Sequence, residues 1–164
     1  MAVHSIKAVQ KIPVPLSEAW NFFSNPANLD KITPDDLGFI IISKNTGEKI
    51  YPGQKIEYKV SPILRIPLYW MTEINDVEEN KFFVDEQRKG PYSLWHHEHH
   101  FKEIQGGVEM TDIVSYRIPL GLIGEAANSI FVKKKLQDIF KFRFRKVEEV
   151  FGKWPQQIPS IQIN

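Results

Sequence analysis

Residues 90–101 read GPYSLWHHEHHF. Gly90-Pro91 turns the chain, and the residues after it read as a strand. On a strand, alternate side chains share a face. Trp95, His97, His99 and Phe101 therefore point one way, and Leu94, His96, Glu98, His100 and Lys102 the other. The aromatic ends of the first set mark it as the inner face, and the charges of the second suit water. This reading predicts His97 and His99 inside a ligand-sized cavity and His96 and His100 outside it.

Working outward, Gln105-Gly106-Gly107 is a compact loop joining Ser93–Ile104 to a second strand, Val108–Arg117. That strand carries Asp112, Val114 and Tyr116 on one face. The preceding segment, Lys81–Lys89, offers Phe83, Asp85 and Gln87 against Phe82, Val84, Glu86 and Arg88. Both sets mix apolar and polar residues, so periodicity leaves the inner face of these two strands open. If Asp85 and Asp112 turn inward, they are candidates to pair with the histidines.

Further upstream, Ile66–Val77, Gln54–Val60 and Phe39–Ser43 read as strands, with turn signals at Asn45-Thr46-Gly47 and Pro52-Gly53. Val3–Ile12 alternates as a first strand and ends at Pro13 and Pro15. Ser17 is a candidate cap for a short helix over Glu18–Ser24, and Ala27–Ile32 reads as a second helical turn. Downstream, Glu125–Lys153 reads as one long helix ended by Pro155. Its Val132, Leu136, Ile139, Phe140, Val147, Val150 and Phe151 recur at helical spacing. The tail after Trp154 reads as loosely packed. The expected fold is α+β, a curved antiparallel sheet of about seven strands wrapped around a long C-terminal helix, in one domain over residues 1–164.

Arg143 falls inside the apolar face of that helix. An unpaired buried charge costs several kcal/mol, as an order of magnitude, so the guanidinium needs an inward-facing Asp or a route to water at the rim. The histidine pair carries three readings. The first is structural, with neutral imidazoles hydrogen-bonded to carboxylates and Tyr116. The second is acid–base chemistry by His97 or His99, with Tyr116 or Arg143 polarising a carbonyl. The third is a metal, since His-x-His places two rings on one face about 7 Å apart at the backbone, with Asp85 or Asp112 as a third ligand. The spacing is common in proteins without metal, so hydrogen bonding stands first. Neither a resident metal nor a cofactor is expected.

Composition sets wider limits. The chain has 164 residues, 42% of them hydrophobic and 25% charged, with eleven Phe, five Tyr and four Trp. A net charge of +1 gives no global field for nucleic acid or an anionic membrane. The basic cluster of Lys133, Lys134, Lys135, Lys141, Arg143, Arg145 and Lys146 reads as a solvated helix face. The absence of cysteine excludes disulfides, thiolate metal sites and a cysteine nucleophile. No apolar run approaches the ~18 residues that span a bilayer, and the N-terminus does not resemble a signal peptide. A cytoplasmic monomer or homodimer, with no nucleic-acid partner and no stable membrane insertion, is the expectation.

At the residues Phe83, Asp85, Gln87, Gly90-Pro91, Trp95, His97, His99, Phe101, Asp112, Tyr116, Pro119, Gly121, Gly124, Phe140 and Arg143, the sequence resembles the SRPBCC superfamily. These are the START-like, helix-grip proteins, related to polyketide cyclases. The closer resemblance is to small bacterial SRPBCC ligand-binding-domain proteins. It implies a deep apolar cavity between sheet and helix and argues for Asp85 and Gln87 facing inward. It brings no reaction with it. The expected function is binding of a small apolar or amphipathic molecule. Trp20, Phe23, Trp70, Trp95 and Phe101 would form apolar wall, and Asp85, Gln87, His97, His99, Asp112, Tyr116 and Arg143 would orient the polar end. The alternatives are a cofactor-independent cyclase, dehydratase or isomerase, and a structural or partner-binding domain without a ligand.

Overall fold

In a computed structural model, residues 2–44, 47, 49–61, 66–119, 121, 123, 126, 128–158 and 160–164 are described. Asn45, Thr46, Gly124 and the expected helix start at Glu125 lie outside these residues. The chain opens with β1 (His4–Ile12), then α1 (Leu16–Phe23) and three single 3-10 turns between Pro26 and Leu37. β2 (Ile40–Ile41), β3 (Lys55–Val60), β4 (Leu68–Glu78), β5 (Phe82–Lys89), β6 (Leu94–Ile104) and β7 (Gly107–Arg117) follow. A π-helical turn, Asn128–Val132, leads into α2 (Lys133–Phe151), and β8 (Ser160–Ile163) ends the chain.

Among the described residues the strands form one antiparallel sheet, ordered β2-β3-β4-β5-β6-β7-β1-β8. The β2–β7 run is a meander, and β1 closes it by pairing with β7 from His4–Tyr116 to Ile12–Val108. Register shifts at Met71/Thr72 and Ile74/Asp76 in β4 insert bulges, which bend a strand and increase its twist. The β6–β7 hairpin turns tightly, with Ile104 opposite Gly107. Gly106 sits at φ +88°, and a Cβ on Gly107 would lie 2.1 Å from the Ile12 carbonyl oxygen, so both positions need glycine.

α2 lies across the concave face through Leu136, Phe140, Phe144 and Val147, all buried. Its middle is tied to the sheet where the Gln10 side-chain amide donates to the Phe144 carbonyl, 3.0 Å. At the far end Trp20 and Phe23 of α1 meet Phe101 and Phe83 edge-on or tilted.

Several expectations change. Among the described residues the sheet has eight strands where about seven were expected, because the tail is not loose: Ile161 and Ile163 alternate inward, pair with Ala8 and Ile6, and pack against the α2 core. α1 starts at Leu16 after Pro15, with no side-chain cap, so Ser17 is not its cap. The second helix is a series of 3-10 turns instead of a continuous element. On α2, Val150 is exposed and Phe144 takes the buried position one turn after Phe140.

Candidate functional site

The site is built from three neighbouring strands and one helix. β5 and β6 pair Asp85 opposite His97, and β6 and β7 pair His99 opposite Asp112. All four side chains project inward and are largely or wholly buried. Each histidine bonds to the carboxylate diagonal to it: His97 Nε2 lies 3.0 Å from Asp112 Oδ1, and His99 Nε2 lies 2.9 Å from Asp85 Oδ2. The second contacts are less well aligned. His97 Nδ1 is 3.7 Å from Asp85 Oδ2. His99 Nδ1 comes within 2.9 Å of Asp112 Oδ1 yet is out of line for a hydrogen bond.

The two imidazoles lie 3.8 Å apart, centroid to centroid, and Phe83 stacks on the outer side of His99 at 4.1 Å. Arg143 reaches in from α2, with Nη1 3.5 Å from Asp112 Oδ1 and the guanidinium over the Phe140 ring. Ala8 of β1 stands opposite Asp112, and its small side chain leaves the guanidinium room. Of the two placements open to Arg143, the structure has the one facing an inward Asp.

Burial and pairing pull on these four groups in opposite directions. Burial raises the Asp112 carboxyl, but the hydrogen bond from His97, the close contact with His99 and the nearby Arg143 outweigh it and hold the group far below the usual carboxylate range. Asp85 is likewise raised by burial and lowered more strongly by His99, His97 and Arg143. His97 is lowered by burial and by His99 beside it, despite its carboxylate partners. Burial also lowers His99, but its contacts with Asp112 and Asp85 prevail and raise it.

Beyond His97 the inner face turns aromatic. Trp95 meets His97 edge-on at 6.3 Å and Trp70 edge-on at 5.2 Å, and Tyr58 stacks on Trp70 at 5.8 Å. Tyr92 packs against Trp70 and Trp95. Tyr58, Tyr92 and Trp95 are only partly buried. The Trp70 indole nitrogen and the Arg143 Nε are both buried without a hydrogen-bond partner.

The remaining expected residues fall elsewhere. Tyr116 is fully buried among His4, Tyr92 and Trp95. Phe101 lies at the α1 end against Trp20 and Phe23. Gln87 clamps the β5–β6 turn: its side chain donates to the Tyr92 carbonyl and accepts from the Tyr92 N–H. The space beside Asp112 and Arg143 is also smaller than a ligand. It amounts to about 10 Å³, room for about one water, because Phe140, Phe144, Phe23 and Met110 fill the interior. Tyr58 and Tyr92 are the members of the aromatic array that sequence reasoning missed. Their signal was the turn residue Tyr92 after Gly90-Pro91 and the inward period of β3.

No family model matches the chain, and no curated protein matches it. Solved structures do. Protein CV1439 from Chromobacterium violaceum superposes with a TM-score of 0.68 at 8% identity, covering 92% of this chain and 99% of that one. Protein TTHA0849 from Thermus thermophilus gives 0.67 at 14% identity, over 88% and 94%. A START superfamily protein from Mycobacterium smegmatis gives 0.66 at 12% identity, over 90% and 99%. At such identities the likeness concerns the fold alone. With its long antiparallel sheet gripping α2 and its short helices after β1, the chain has the START-like helix-grip fold.

Proposed function

We propose that this chain binds a small apolar or amphipathic molecule between the sheet and α2, at the Tyr58–Trp70–Tyr92–Trp95 end of the inner face rather than in the filled space beside Asp112, with the polar end of the ligand toward His97 and His99. The observation that carries the reading is the aromatic array of Tyr58, Trp70, Tyr92 and Trp95, partly open to water and ending on buried charge. Large rings give much contact area at low entropic cost, and polar groups at one end orient a ligand. Buried donors are nearly always hydrogen-bonded in native proteins. Trp70 Nε1 and Arg143 Nε, both without partners, support a ligand that presents an acceptor. Asp85, Asp112 and Tyr116 serve as supports for that end, Phe101 as apolar wall at the α1 end, and Gln87 as the brace of the Tyr92 turn.

Each ring nitrogen of both histidines already lies within 3.7 Å of a carboxylate oxygen. No imidazole nitrogen faces free space, and this favours binding over acid–base turnover by His97 or His99. Among the described residues no helix is long and apolar enough to cross a membrane.

The reading is tested by native mass spectrometry of the purified protein, with thermal shifts across a panel of fatty acids, flavonoids and anilinonaphthalene sulfonate. A bound apolar species, or a panel member that raises the Tm and quenches Trp fluorescence, is expected. Trp95→Ala should weaken that member about tenfold or more, as loss of an aromatic anchor does. No co-purifying species and no shift across the panel would sink the proposal.

A further inference from the structure

We propose that Asp85, His97 and His99 form a binding site for one divalent transition-metal ion, with Asp112 as the carboxylate that orients both imidazoles. The inference stands apart from the apolar-ligand reading and does not need it.

The ring nitrogens divide into two pairs. His97 Nδ1 and His99 Nε2 both face Asp85 Oδ2, at 3.7 and 2.9 Å. The opposite nitrogens, His97 Nε2 and His99 Nδ1, both face Asp112 Oδ1, at 3.0 and 2.9 Å. A metal-bound histidine gives one nitrogen to the ion and donates the N–H of the other to a carboxylate or carbonyl, which sets its tautomer and angle. Here one aspartate lies on the ion side of both rings and a second lies behind both. Arg143 in turn holds the second aspartate. His-x-His spacing is weak evidence for a metal, but a shared carboxylate behind both rings is a second and independent feature.

Distances fit with small adjustment. One donor atom from each of Asp85, His97 and His99 falls within 4.8 Å of the other two. Metal bonds of about 2.0–2.2 Å place ligand atoms roughly 3–3.5 Å apart, so side-chain rotations suffice. The buried His99 Nδ1 is close to Asp112 but misaligned and unbonded. Ligation through Nε2 turns the ring and gives that N–H its acceptor. Two carboxylates against one arginine leave one net negative charge, which suits a dication held by neutral imidazoles. Two imidazoles and a carboxylate, with no thiolate, select an ion of the zinc, cobalt, nickel or iron kind over magnesium or calcium. Three protein ligands leave a coordination position open. Asp85, 15% exposed against 7–8% for the histidines, marks the side from which water or a small anion reaches it.

The test uses tag-free protein, stripped with a chelator and titrated with Co²⁺ under visible absorption, then challenged with Zn²⁺. One equivalent of Co²⁺ with ligand-field bands, displaced by Zn²⁺, is expected. His97→Gln and Asp85→Asn should each reduce affinity more than about 100-fold, and Asp112→Asn about 10–100-fold, the range for an orienting partner. The doubly substituted His96→Gln, His100→Gln protein should bind as the parent does. A parent protein without bands, or with less than one equivalent bound, overturns the site whether or not the variants fold. So does loss of binding in the His96/His100 protein with retention in His97→Gln.

Discussion

The two faces of β6 carry the same residue type and treat it differently. On the outer face His96 contacts Glu86 and Glu98, and His100 contacts Glu98, with side chains 32% and 42% exposed. On the inner face His97 and His99, 8% and 7% exposed, contact Asp85 and Asp112 at similar distances. Geometry alone would rank the two sets of contacts as equals. Burial separates them, because water screens the outer pairs and leaves their members solvated if a partner is removed, whereas an inner group stripped of its partner has nothing to replace it.

That difference is broken most directly at Asp112, which accepts from His97, touches His99 and faces Arg143. Asp112→Ala should destabilise the protein by about 3–5 kcal/mol, the cost of leaving buried cations uncompensated. Urea denaturation at neutral pH measures it. A loss under about 1 kcal/mol would place the inner network in the same class as the surface pairs.

Arg143→Met comes next. The methionine keeps the apolar stem beside Phe140 and removes only the head. Asp112 retains its bond from His97, so the expected loss is about 1–3 kcal/mol. A double-mutant cycle of Asp112→Asn with Arg143→Met should show positive coupling. The same cycle on Glu98 and His100 should show almost none. Equal coupling in the two cycles would remove the distinction between the faces.

How much of this was legible beforehand follows from what pattern can carry. A period of two placed His97 and His99 inward, because one face ended on Trp95 and Phe101 and the other on charges. Asp85 and Asp112 stayed ambiguous, since each shares its strand with apolar residues on both faces. Their inward turn is set by register across β5, β6 and β7, which depends on pairing over three strands. The diagonal bonds were out of reach altogether. β8 escaped because four residues carry too little periodicity, and it forms only where β1 offers an open edge. The near absence of free space beside Asp112 reflects where Phe140 and Phe144 put their volume, which composition does not reveal. Gln87 matched an inward position, but a turn with free backbone groups competed for its amide and won.

The aromatic end of the inner face extends the comparison to a neutral group. Burial pushes the Tyr92 hydroxyl well up, and Tyr116 beside it adds to the shift. A raised folded-state pKa contributes stability that is complete below the unfolded value near 10 and is lost as pH rises toward the folded value. Between those limits stability should fall by at most about 1.4 kcal/mol per pH unit from this residue. Tyr92→Phe should flatten the alkaline limb of the stability profile and leave the neutral region nearly unchanged. An unchanged alkaline slope would mean that Tyr92 is hydrated in the folded protein.

The smallest effect belongs to Glu98→Gln. Glu98 sits between His96 and His100 and contacts both, so a count of contacts would make it as important as Asp112. Its side chain is 32% exposed, however, and both partners remain solvated when it is neutralised. Exposed pairs of this kind contribute about 0–1 kcal/mol. Raising the salt from about 0.1 to 1 M shortens the screening length from roughly 10 to 3 Å and should erase even that difference between parent and variant. The Asp112→Ala difference should survive the same change, because its charges are closed off from mobile ions. Salt therefore distinguishes the two faces without further substitutions: a Glu98→Gln loss that persists at 1 M would show that the outer histidines belong to the buried network after all.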